Sequence, residues 1–203
     1  MDSNKYIDDI SEIKELMNRS SRFLSLSGLS GILAGIYALA GAWGAYVFLF
    51  PKTGEYLVLD SWNFRLTVFV LLSVAILSTL TAFILTRRKA RQNNEKVWGA
   101  TTRRLLFHFL IPLVTGGIYI LIKLKSQHYG LTASLMLIFY GMALVNASKY
   151  TLGNVRYLGL AEIVLGLLCA ALPGYGFWFW VIGFGILHIV YGSLIYFGEG
   201  NKG

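Results

Sequence analysis

Cysteine is nearly absent from this sequence. Cys169 stands alone inside an apolar stretch, which excludes an intramolecular disulfide and any cysteine-based zinc site. It reads as a buried, inert thiol. Proline is almost as scarce, with Pro51, Pro112 and Pro173 the only three. Charge is thin as well: 14% of the residues are Asp, Glu, Lys or Arg, against roughly 25% in a soluble domain. Nucleophile-plus-base, phosphate-loop and paired-carboxylate signatures are all missing, so the chain is not expected to be an enzyme, and no cofactor is expected. His108, His128 and His188 lie at different depths and do not converge on a metal. Paired haem ligation needs two histidines at one depth, which only His108 and His188 approach.

What is present is apolar: 56% of 203 residues are hydrophobic, with a mean hydropathy of +0.60. The apolar residues gather into six runs, 23–50, 66–86, 105–124, 129–148, 157–173 and 176–197. Each is near the roughly 20 residues a helix needs to cross the hydrocarbon. Helices are the default because a bilayer leaves unpaired backbone groups unsatisfied, and a barrel would show short alternating segments. The fold expected is therefore all-α: a polytopic membrane bundle of six transmembrane helices, arranged as three helical hairpins. Its limits are a cytoplasmic N-terminal segment 1–22, a membrane domain 23–198 and a tail 199–203. Pro51 and the Pro173-Gly174 pair stop the first and fifth runs, and Pro112 is expected in the first turns of the third.

Segment 1–22 is not expected to be a cleaved signal, since five acidic residues precede the first apolar run and a basic n-region is lacking. Ile7, Ile10, Ile13, Leu16 and Met17 instead recur at helical spacing, opposite Asp8, Asp9, Glu12, Lys14, Glu15 and Arg19. This amphipathic helix has an acidic polar face, which suits packing or a protein partner better than anionic lipid. The net charge of +8 does not point to nucleic acid, because the cations cluster beside the spans. Arg87, Arg88, Lys89, Arg91, Lys96, Arg103 and Arg104 all lie in one connection. With alternating sides, 14 Lys and Arg fall with the termini and 4 on the opposite side. The positive-inside rule then puts both termini in the cytoplasm of a cell with its inner membrane around this chain. Phe177 to Trp180, with Trp62 and Phe64, supply aromatics for the outer interface, and Trp98 for the inner. The partners expected are the bilayer, a protein met through segment 1–22, and a second copy of the chain as an open alternative.

Two short words recur. Gly28-Leu29-Ser30-Gly31-Ile32-Leu33-Ala34-Gly35 aligns with Gly159-Leu160-Ala161-Glu162-Ile163-Val164-Leu165-Gly166, and Ile138-Phe139-Tyr140-Gly141 with Ile189-Val190-Tyr191-Gly192. They relate the first run to the fifth and the fourth to the sixth, as parallel hairpin repeats. Gly28 and Gly35, Gly159 and Gly166, and Gly185 and Gly192 are each seven apart, and Gly31 with Gly35 makes a G-x-x-x-G pair. Small residues on one face let backbones approach, so these glycines are expected to pack helices closely. Segment 156–197, with its glycine-rich helix, Pro173 and a second glycine-rich helix from Gly183 to Gly192, resembles the repeat of the HdeD-like membrane proteins. The chain also resembles a group of uncharacterised six-span bacterial proteins across Ser21 to Trp43, Ile138 to Leu165 and Gly174 to Tyr191. The first likeness implies six spans and an association with acid stress. It carries no catalytic residue over, and Lys123 stands roughly where the third run's turn proline would fall.

One residue resists a packing explanation. Glu162 is the only carboxylate inside any of the six runs. An ionised carboxylate in hydrocarbon costs about 2.5 kcal/mol or more, so such a residue is paired, protonated or beside water. It lies six residues past Arg156, and His188 lies nine residues before Phe197, so the two fall at similar depths in the last hairpin. Asn146 and Lys149 end the fourth run on the same side, which makes Glu162, His188, Asn146 and Lys149 a candidate cluster. It has two readings: a polar clasp between helices, or a proton-responsive site or solute pocket of a sensor or transporter. The clasp, in a non-enzymatic structural, stress-related or partner-binding protein, is preferred.

Overall fold

The computed structural model describes residues 27–49, 61–92, 97–151 and 155–200. The amphipathic segment expected over 1–22 and the end of the tail lie outside them. The described chain is helical throughout: α1 (Gly28–Leu49), α2 (Trp62–Gln92), α3 (Ala100–Lys125), α4 (Thr132–Ala147), α5 (Val155–Ala171), α6 (Gly176–Trp180) and α7 (His188–Gly200). Short 3-10 turns, Tyr129–Leu131 and Ser148–Tyr150, flank α4, and a π-helical stretch, Val181–Leu187, joins α6 to α7. Among the described residues, five helical stretches are long and apolar enough to cross a membrane: Gly28–Phe48, Trp62–Gln92, Ala100–Lys125, Tyr129–Tyr150 and Gly176–Gly198. The protein is thus a multi-pass helical membrane protein.

Helix ends follow local chemistry. The Ser61 hydroxyl accepts a hydrogen bond from the Phe64 N–H at 3.1 Å, capping α2. At its other end α2 runs on through Arg87–Gln92, beyond the apolar run 66–86, reaching 31 residues. Hydropathy marks where a helix meets lipid, whereas Arg, Lys, Ala and Gln are good helix formers that continue it into water. For the same reason α3 starts at Ala100, which places Pro112 in its interior and not in its first turns. The turn after α3 has no proline. Gln127 adopts φ 59° there, its N–H donates to Leu124 O at 3.0 Å, and His128 N–H donates to Lys123 O at 2.9 Å. That is a Schellman closure with glutamine in glycine's usual place. The turn after α5 uses Pro173 and Gly174, the latter at φ 93°.

The packed pairs are α1 with α2, α3 with α4, α4 with α5, and α1 with the π stretch and α7. Two of these contacts are the same contact made twice. A Cβ placed on Gly166 of α5 would lie 2.7 Å from Ile138 Cγ1 and 3.0 Å from Ser134 O of α4. A Cβ on Gly35 of α1 would lie 2.6 Å from Ile189 Cγ1 and 2.6 Å from Gly185 O. Two turns away, Gly159 meets Gly141 O and Val145 N, while Gly28 meets Gly192 O and Tyr196 N. Each of these partners on α4 has its counterpart 51 residues later, and Gly28 and Gly35 of α1 have theirs, Gly159 and Gly166, 131 later. The two short sequence repeats are therefore the two sides of one glycine-seamed joint. In each joint two helices lie face to face, α5 on α4 and α1 on the π stretch with α7, at a spacing that only glycine permits.

Candidate functional site

The two joints come together at Glu162. Its place in the repeat is that of Gly31 in α1, and the place of His188 is that of Leu137 in α4. Each joint thus contributes one polar residue where its relative has an apolar or small one. Glu162 is 0% exposed and His188 7%. The carboxylate Oε1 lies 3.5 Å from His188 Nδ1. Room for it comes from Gly183 in the π stretch, where a Cβ would sit 2.6 Å from Glu162 Oε2 and would collide with Leu137.

Both ring nitrogens of His188 are engaged. Nδ1 is 3.0 Å from the carbonyl oxygen of Gly183 and Nε2 is 2.8 Å from the hydroxyl of Tyr140. A carbonyl oxygen only accepts, so Nδ1 carries a proton and donates it. In neutral imidazole Nε2 then accepts, and the Tyr140 hydroxyl donates to it. The Nδ1 proton also faces Glu162 Oε1 at the longer distance, while neither carboxylate oxygen has a hydrogen-bond partner of ordinary length among the described residues. The π stretch is part of this geometry. It widens the helix by one residue per turn, and Gly183 and His188 are the i and i+5 positions that such a turn brings together.

The sequence-derived cluster divides. Glu162 and His188 are brought into contact, whereas no hydrogen bond or ion pair joins Asn146 or Lys149 to either among the described residues. Leu137, which shares the level of Glu162 beside Gly183, precedes Asn146 by nine residues and Lys149 by twelve. At the helical rise those are about 13 Å and 18 Å along the chain, too far for either side chain to join the cluster directly. Lys149 is exposed. Tyr140 is the member that sequence reasoning passed over. Its one signal is its place inside the recurring word Ile138–Gly141, which the sequence offers only as a repeat between the fourth and sixth runs. His108 is also apart, stacked on Tyr150 with ring centroids 5.1 Å apart. No three His, Cys, Asp or Glu side chains converge on a metal-sized space among the described residues.

Beside the cluster is a cavity of about 730 Å³, almost wholly apolar, walled by all the long helices. Tyr140 and His188 line it, and Glu162 does not. The order from the cavity inward is thus Tyr140 and His188, then Glu162, which is fully buried. No protein-family model matches this chain, and neither a curated protein nor a solved structure shows significant similarity to it.

Proposed function

We propose that this chain is a non-enzymatic, six-span protein of the cytoplasmic membrane, with both termini in the cytoplasm, whose Glu162–His188–Tyr140 cluster is a polar clasp between its two glycine joints. The sixth span would be α5. Its 17 residues rise about 25 Å, just under the roughly 30 Å hydrocarbon thickness. Its start is marked by Arg156, and no cation follows it before α6, as crossing outward requires. The hairpin repeat and the likeness to HdeD-like proteins belong to the same reading, supported by the joint that recurs with constant residue offsets. Residues 1–22 are the segment offered to a protein partner.

The observation that carries the clasp is the complete burial of Glu162 beside Gly183, with His188, which it touches, lining the cavity that Glu162 itself does not line. A carboxylate carrying ions or solutes needs water on its path; one that ties helices together does not. In proteoliposomes, Glu162→Gln is expected to leave passive proton flux unchanged while Glu162→Ala lowers the unfolding temperature of the purified protein. A proton flux that disappears with Glu162→Gln would replace the clasp by a transporter. One observation favours the second reading, a proton-linked sensor: His188 touches both Glu162 and the cavity wall. For a sensor, the tryptophan emission of the wild type would change reversibly with pH, and Glu162→Gln and His188→Gln would each abolish the change.

A further inference from the structure

The first turns of α3 carry a one-sided pattern. Ala100, Arg103, Arg104, Phe107 and His108 recur at spacings of three and four, so they share one helix face. Together they wall an open pocket of about 410 Å³. Both arginines are exposed, and no ion pair joins either to a carboxylate among the described residues. The sequence around them is bare of negative charge. No Asp or Glu occurs between Glu95 and Glu162, and Glu162 is fully buried. Positive charge accumulates instead. His108 stacks on Tyr150, with ring centroids 5.1 Å apart, and the turn Ser148–Tyr150 packs against α3. That turn carries the exposed Lys149.

Depth and direction identify what completes the pocket. The apolar run of α3 begins at 105, next to Arg104, so the two guanidinium groups stand where hydrocarbon gives way to headgroups. Below them the same face continues as Phe107, Ile111, Val114 and Ile118, each about half exposed or more. The opposite face, with Phe109, Leu113 and Ile120, lines the internal cavity, so this apolar track looks outward to lipid. From Arg103 to Val114 the helix rises about 16 Å, close to one leaflet, half of a hydrocarbon core roughly 30 Å thick. A charged socket therefore stands at the head of a bare track one leaflet deep. A soluble anion would use the socket alone, whereas a phospholipid uses both. Guanidinium groups match phosphate oxygens in paired hydrogen bonds. An anionic head also brings no ammonium of its own towards Arg103, Arg104 and Lys149, as a zwitterionic head would.

We propose that the face of α3 from Ala100 to Val114 is a binding site for one anionic phospholipid of the adjacent leaflet. Its phosphate pairs with Arg103 and Arg104 in the pocket, and an acyl chain follows Phe107, Ile111 and Val114. The proposal is independent of the clasp and of which side of the membrane this end of α3 faces.

The test titrates the full chain in a neutral detergent with dioleoyl phosphatidylglycerol and, in parallel, with dioleoyl phosphatidylcholine. Native mass spectrometry counts the lipids retained on each chain. One phosphatidylglycerol is expected to be held at least about tenfold more tightly than phosphatidylcholine. Arg103→Gln with Arg104→Gln should weaken it about tenfold or more, the size of one hydrogen bond to a charged group. Ala100→Leu, which fills the pocket and leaves every charge in place, should weaken it by a similar factor. Arg87→Gln with Arg88→Gln, an exposed pair on α2 outside the pocket, should leave it unchanged. Unfolding temperatures without lipid show whether each variant is folded, and two ways of spoiling the pocket guard against the failure of one. Equal retention of the two lipids would overturn the proposal. An equal loss in the Arg87 and Arg88 variant would do the same, leaving only a diffuse attraction between the chain and anionic lipid. Displacement of the lipid by free glycerol phosphate at equal concentration would assign the pocket to a soluble anion and overturn it too. So would lipid binding that appears only after Asp8→Asn, Asp9→Asn, Glu12→Gln and Glu15→Gln together, which would assign the pocket to the chain's own acidic segment.

Discussion

At the scale of residues, the cluster depends on a missing side chain as much as on the three present. Gly183 leaves the space that Glu162 Oε2 fills, so Gly183→Ala forces a contact of 2.6 Å on the carboxylate and a collision with Leu137. The expected loss of stability is about 1–3 kcal/mol, the usual cost of overpacking, and thermal unfolding in detergent would read it. Tyr140→Phe removes the 2.8 Å hydrogen bond to His188 Nε2 and keeps the ring in place between Phe184 and His188. About 1 kcal/mol is expected from it. Because His188→Leu recreates the apolar residue found at the matching position of α4, a double-mutant cycle between Tyr140→Phe and His188→Leu isolates their bond from the packing. A coupling energy indistinguishable from zero would remove Tyr140 from the cluster.

At the scale of elements, the joints make a prediction about equality. Gly28 and Gly159 occupy equivalent positions, with backbone atoms of the facing helix 2.5 Å and 2.7 Å from a Cβ built on each. Gly28→Leu and Gly159→Leu are therefore expected to destabilise the protein by similar amounts. Gly44→Leu, in open space on α1, should be tolerated. Unfolding temperatures of the three variants, measured in one detergent, would show it, and a harmless Gly159→Leu would refute the equivalence. The glycines at these positions were visible in the sequence as a pattern, because close backbone approach demands the smallest residue. The π stretch was not visible. Its seven residues read as an ordinary apolar helix, and only the backbone of the folded chain shows the wider turn.

At the scale of the whole molecule, topology is the accessible test. Cys169 is the only cysteine and is buried, so Cys169→Ala provides a background in which single cysteines can be placed at the chain ends and turns. With six spans, cysteines replacing Ser3 and Asn201 would be protected from an impermeant thiol reagent in intact cells, and one replacing Tyr175 would react. Reaction at Asn201 with protection at Ser3 would reduce the crossings to an odd number and take α5 out of the membrane. The cavity also belongs to this scale, since all the long helices wall it.

Membrane-crossing helices were determined by the sequence alone. Hydropathy over about 20 residues is a local property, and lipid imposes helix on any segment that meets it. The glycine seams were equally local, as were the scarcity of charge and the solitary position of Glu162. Which polar residues meet was decided only by the tertiary structure. Convergence depends on how each helix is rotated and how far it slides past its neighbour, and depth in the chain constrains neither. Glu162 and His188 therefore touch, Tyr140 joins them from a third helix, and Asn146 and Lys149 stay a few turns away. The cavity was decided in the same way, by how the long helices are rotated and spaced around it.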